Sequence, residues 1–189
     1  SERKEEKEYL SGKIADIADI NTSNVRVKDS LQTQIVNQSD SIGKIYSITS
    51  SLEQYMPEEV LFRAAEVLEQ VVNTKEVAIY TVGKSEYARL YTATSENAGQ
   101  LGYTVKLSKM PDLYDELKDG KVFINRGLKA EYPMMAVAIK NADQLKAILM
   151  VWGLSWDAMT LGTANMLAIT ASLIQNAVLR AERYLEALE

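Results

Sequence analysis

The stretch Pro133–Gly153 reads PMMAVAIKNADQLKAILMVWG. Two apolar runs, Met134–Ile139 and Ala147–Trp152, flank a polar turn at Asn141-Ala142-Asp143. Each run has the length of a strand, and Val137, Ile139, Ile148 and Val151 favour a pleated backbone. The runs are almost continuous rather than alternating, which suits a central hairpin covered on both faces.

Working upstream, Lys121–Asn125 (KVFIN), Tyr103–Leu107 (YTVKL), Glu86–Thr94 (EYARLYTAT) and Glu76–Gly83 (EVAIYTVG) are further strands, the last two joined through Gly83-Lys84-Ser85. Between them, Pro111–Asp119 predicts a short acidic helix ended by Gly120. Before the strands, Pro57 with Glu58 and Glu59 opens a helix, because proline suits the first turn and acids suit the positive end of the dipole. Its apolar face runs Val60, Leu61, Ala64, Val67, Leu68 and Val71, and Asn73 closes it. Downstream, a helix begins near Asp157, capped by Ser155 or Asp157, and runs to the end of the chain. Hairpins at both ends of the strand series predict an antiparallel sheet of five or six strands with helices before and after it, an α+β architecture.

From Tyr9 to Leu52 no proline occurs, and a spacing of threes and fours runs through Leu10, Ile14, Ile17, Asn21, Asn24, Lys28, Leu31, Ile35, Gln38, Ile42, Ile45, Thr49 and Leu52. Two readings of this long leading helix stand: a coiled-coil seam weakened by polar residues, or an amphipathic helix docked on its own domain. Asp40 or Ser41 can cap a second helix starting at Ile42. Arg26-Val-Lys-Asp29 reads as a solvated helix face.

The 189 residues carry a net charge of -5, which leaves no basic footprint for nucleic acid. Hydrophobic residues make up 47 %, enough for a proper core. Cysteine and histidine are both absent. The absence removes disulfides, thiolate nucleophiles, zinc knuckles, the usual general base and the commonest metal ligand. No catalytic residue, metal site or cofactor is predicted. No run of about eighteen apolar residues occurs, so no membrane insertion by this stretch is expected. The acidic, helical first residues are not a signal peptide and predict a segment of a longer protein.

This order of elements resembles a GAF domain, a module of the PAS-like sensory superclass. The resemblance covers Ile42 to Val178 and rests on VAIYTV at Val77–Val82, DELKDGKVFINR at Asp115–Arg126, and YPMMAVAIK with ILMVWG within Tyr132–Gly153. Gly120–Asn125, Pro133-Met134-Met135 and Val151-Trp152-Gly153 more narrowly resemble the GAF region of the PelD family, the cyclic di-GMP receptors of Pel exopolysaccharide biosynthesis. The 189 residues include no membrane segment and no GGDEF-like domain, where that family's dinucleotide contacts lie, so none is carried over. The resemblance implies a GAF fold with a long N-terminal helix. It divides the chain into a coiled-coil-like linker (residues 1–40), a GAF domain (41–178) and a helical extension toward a downstream domain (179–189). It further implies a non-catalytic regulatory or scaffold module that dimerises and relays a signal to a neighbouring domain. The setting would be cytoplasmic, or the cytoplasmic part of a membrane-anchored protein. A small-molecule sensor is the alternative, as is an accessory domain fused to a sugar-nucleotide epimerase; no Gly-x-Gly-x-x-Gly fingerprint occurs here.

Two residue sets follow. GAF domains often bind a small molecule on one sheet face, which here draws on Tyr80, Tyr91, Tyr103, Tyr132 and Met135; aromatics filling a core explain the same residues. Ile14, Ile17, Leu31, Ile35, Ile42, Ile45, Leu185 and Leu188 extend beyond what one domain body buries and are the expected homodimer interface. Asp112, Asp115, Glu116 and Asp119 are spaced irregularly for a calcium loop and read as a solvated face. Lys106, Lys109 and Arg126 read as surface.

Overall fold

A computed structural model describes residues 3–10 and 42–188. Residues 3–10 (α1) and 42–50 (α2) are helical, and a 3-10 turn follows at Ser51–Gln54. Then come α3 (Pro57–Val72), β1 (Val77–Val82), β2 (Tyr87–Ala93), β3 (Thr104–Lys106), α4 (Pro111–Lys118), β4 (Phe123–Ile124), β5 (Met135–Asn141), β6 (Gln144–Val151) and α5 (Leu161–Leu188). The six strands form one antiparallel sheet in the order β3-β2-β1-β6-β5-β4. The α+β expectation and the central hairpin both hold: β6 lies between β1 and β5, and Leu145 and Ala147–Val151 are buried.

The sheet separates two cores. On one face Val77, Ile79, Val137, Leu149 and Val151 pack with α3 and α5, and Leu10 of α1 and Ile45 of α2 reach the same core. On the other face Tyr80, Ile148, Met150 and Trp152 pack with Leu113 and Leu117 of α4. Side chains alternate across a strand, so Val77 and Ile79 feed one core and Ala78 and Tyr80 the other. Each fully buried Leu, Ile or Val contributes about 1.5–3 kcal/mol, so both faces stabilise the sheet.

Two bulges interrupt this alternation. Along β5–β6, Ile139 pairs with Ala147 but Lys140 pairs with Leu145, which leaves Lys146 as an extra residue and turns Leu145 into the second core. Along β1–β2, Ile79 pairs with Thr92 but Tyr80 with Leu90, and Tyr91 is the extra residue.

Helix ends follow the local sequence. Asn73 takes the left-handed conformation (φ 50°) and closes α3 as expected. Gly120 (φ 75°) follows α4, where Lys121 N–H donates to Glu116 O (3.0 Å) and Gly120 N–H to Leu117 O (3.1 Å), a Schellman ending. The start of α5 differs from expectation. Trp156–Ala158 forms a separate 3-10 turn, and Thr160, rather than Ser155 or Asp157, caps the helix by accepting from Thr163 N–H (3.1 Å). No helix among the described residues is long and apolar enough to cross a membrane.

Candidate functional site

The loop 125–132 between β4 and β5 builds a polar concavity beside α4. Asn125, buried, is its internal brace: its amide donates to Lys129 O (2.9 Å) and Tyr132 O (3.3 Å), and its carbonyl oxygen accepts from Lys129 N–H (3.0 Å). Leu128 sits at φ 49°, and its carbonyl accepts from the Arg3 guanidinium of α1 (3.0 Å). Lys129 Nζ reaches across to Asp112 of α4 (2.9 Å). Between this loop and α4 lies a cleft of about 440 Å³, lined by Asp112, Glu116, Phe123, Arg126, Lys129 and Tyr132 among others. Phe123 and Tyr132 pack at 5.4 Å between ring centroids and supply an aromatic wall.

The electrostatics hold the lysine and the tyrosine of the cleft in their protonated forms. The Asp112 carboxylate, accepting a hydrogen bond from Lys129, raises the Lys129 pKa and keeps that amine charged. Burial, first of all, raises the Tyr132 pKa and keeps its phenol neutral. A nucleophilic lysine or an acidic tyrosine needs the opposite shift. Among the described residues no three carboxylates gather as a metal site.

The five residues expected to form a ligand face are dispersed. Tyr80 is fully buried in the second core, where its hydroxyl donates to Gly102 O (2.8 Å) and burial raises its pKa to about 12. Tyr132 lines the cleft. Met135 is buried in the core on the opposite face. Tyr91, re-aimed by its bulge, donates to Glu58 O of α3 (2.7 Å), and Tyr103 is 82 % exposed ahead of β3. Of the charged residues, Asp112, Asp115, Glu116 and Arg126 meet at the cleft, while Asp119 caps α4 and Lys106 and Lys109 lie elsewhere.

Of the expected interface, Ile14, Ile17, Leu31 and Ile35 lie outside the described residues. Ile42 is half-buried and Ile45 is buried in the first core. Leu185 and Leu188 are 40 % and 65 % exposed. Sequence reasoning missed their surroundings: an apolar groove of about 680 Å³ lined by Met56, Leu61, Ile139, Val178 and Leu185, with Glu58, Glu59, Glu182 and Lys146 at its sides. No local signal marked the groove, because α3, α5 and the β5–β6 hairpin each supply part of it.

The helices and the six-stranded antiparallel sheet make up a GAF fold. Several solved structures share the fold. PelD from Pseudomonas aeruginosa aligns with a TM-score of 0.56 at 14 % identity, over 74 % of this chain and 48 % of that one, so the chain spans about half the length of the PelD chain it matches. A free methionine-R-sulfoxide reductase from Neisseria meningitidis, solved with its substrate, aligns with a TM-score of 0.55 at 12 % identity, over 74 % of this chain and 89 % of that one. The phycoerythrobilin-bound GAF domain of a cyanobacterial phytochrome aligns at 0.53 and 13 % identity, over 78 % and 97 %. No protein-family model matches the sequence, and no curated protein does.

Proposed function

We propose that this chain is a non-catalytic GAF module of a larger bacterial protein, which self-associates through its terminal helices and relays a signal along them to a neighbouring domain. One observation carries the reading. The core stripe of α5 continues past the body: Ile174, Val178 and Ala181 are buried, and Leu185 and Leu188 extend the same spacing into solvent. An exposed apolar stripe on a helix end favours a partner surface. The signal would be a shift between two packings of the helices. Absence of cysteine and histidine supports a non-catalytic role. A Pel-like exopolysaccharide setting, on the cytoplasmic side and within cyclic di-GMP signalling, is supported by the short motifs and by the likeness to PelD.

Sedimentation over a hundredfold concentration range tests the proposal. A concentration-dependent dimer is expected, weakened by Leu185→Lys with Leu188→Lys; monomer mass throughout would overturn it. A second reading, a small-molecule receptor, is favoured by the cleft at Tyr132 and Arg126. Saturable thermal stabilisation by a metabolite, lost in Arg126→Ala, supports this reading, and a flat panel counts against it.

A further inference from the structure

We infer that the tail of α5 in one copy lies in the Met56–Leu61–Val178 groove of a second copy, so that each protomer supplies both a ridge and a groove. This inference rests on the self-association proposed above and names its surface.

The groove lies between the start of α3 and the end of α5, over the bulged end of the β5–β6 hairpin. Its floor is apolar and its sides are charged unequally: Glu58 and Glu59 stand together on α3, and Glu182 of α5 and Lys146 at the bulge offset each other. The occupant must therefore be apolar along one face and cationic on the flank that meets α3.

The end of α5 has that pattern. Tyr184, Leu185 and Leu188 are exposed and form one stripe. At 3.6 residues per turn, Arg180 and Glu182 fall on opposite flanks of the stripe. A tail laid in the partner groove sets Arg180 against the partner's acidic α3 start and keeps Glu182 away from it. Reversing the tail would set Glu182 against those two acids, so the charges select one orientation. A two-fold arrangement then forms the contact twice, and the surface closes on itself rather than propagating into a filament. The stripe is continuous with the groove wall, because Val178 and Leu185 belong to the same helical face.

The chain contains no cysteine, which makes the test clean. Two single variants of the full chain, Met56→Cys and Leu188→Cys, are mixed in equal amounts and oxidised. A disulfide-linked heterodimer is expected, in excess of either self-linked species. A second arm measures dimer affinity. Glu58→Lys with Glu59→Lys, and separately Arg180→Glu, should each weaken the dimer about tenfold or more. The three substitutions together should recover affinity to within about threefold of the parent. A dimer without the 56–188 link, indifferent to these charges, would overturn the groove assignment while leaving self-association intact. A monomer at all concentrations would overturn both.

Discussion

Gly153 is held open for Glu76. A Cβ at position 153 would overlap Glu76 Oε2, with Glu76 Cδ at 2.9 Å and Glu76 Cβ at 3.1 Å. The carboxylate also accepts from Asn97 Nδ2 (3.2 Å), and the Thr74 hydroxyl donates to Gly153 O. Gly153→Ala must therefore swing the carboxylate out and strain the Glu76 stem, at a cost of about 1 kcal/mol in urea unfolding. Most of that cost should vanish in a Glu76→Ala background, since only the Cβ contact at 3.1 Å then remains. Tyr80 makes a second prediction at this scale. Its folded pKa, raised to about 12 by burial, exceeds the ordinary tyrosine value near 10. Below pH 10 both states keep the phenolic proton and the contribution is fully present. Between pH 10 and 12 the unfolded chain loses the proton first, so stability falls as pH rises. Tyr91 and Tyr132, raised chiefly by burial as well, add in the same sense. Urea midpoints from pH 9 to 11.5 should decline, and Tyr80→Phe should flatten the slope while lowering the neutral-pH value by the lost hydrogen bond to Gly102, about 1 kcal/mol.

Elements were legible in the sequence where one physical rule acted alone. The long apolar runs of β1, β5 and β6 marked buried strands, and Asn73 and Gly120 marked helix ends, because these signals are local. Two kinds of feature were not legible. The bulges at Tyr91 and Lys146 appear only when a strand is paired, since a single strand does not reveal which residue lacks an opposite number. Tyr91 therefore read as a candidate ligand residue although its hydroxyl tethers β2 to α3. The α4 cleft was legible in part. Tyr132, Arg126 and the acids of α4 stood out as residue types, but the Asn125 brace joining them depends on a loop conformation that spacing does not encode. The bulge yields a prediction of its own. Deleting Lys146 removes the extra residue but leaves Leu145 on the second-core face, because it then directly precedes Ala147 of the first core. The deletion should therefore cost well under the about 2–5 kcal/mol expected of Leu145→Ala, which empties that place, both read from urea unfolding.

At the scale of the whole molecule, α1 is bound to the body although it is far from the sheet in sequence. Leu10 is completely buried in the core shared by α3 and α5, and Arg3 donates to Leu128 O. Leu10→Ala should cost about 2–5 kcal/mol, the usual range for emptying a leucine site. Hydrogen exchange should quicken across residues 126–132 as well as in α1, because loss of the leucine anchor releases the arginine contact; faster exchange confined to α1 would show the two to be independent. Leu128 and Lys129 are chain neighbours with different duties, one gripping α1 through its carbonyl and the other gripping α4 through its amine. The two grips share a single short span of backbone, so that span behaves like the fulcrum of a balance. A guest on the α4 side that changed how tightly the amino-terminal helix is seated would itself be held more or less tightly, by the same factor, when that helix is released.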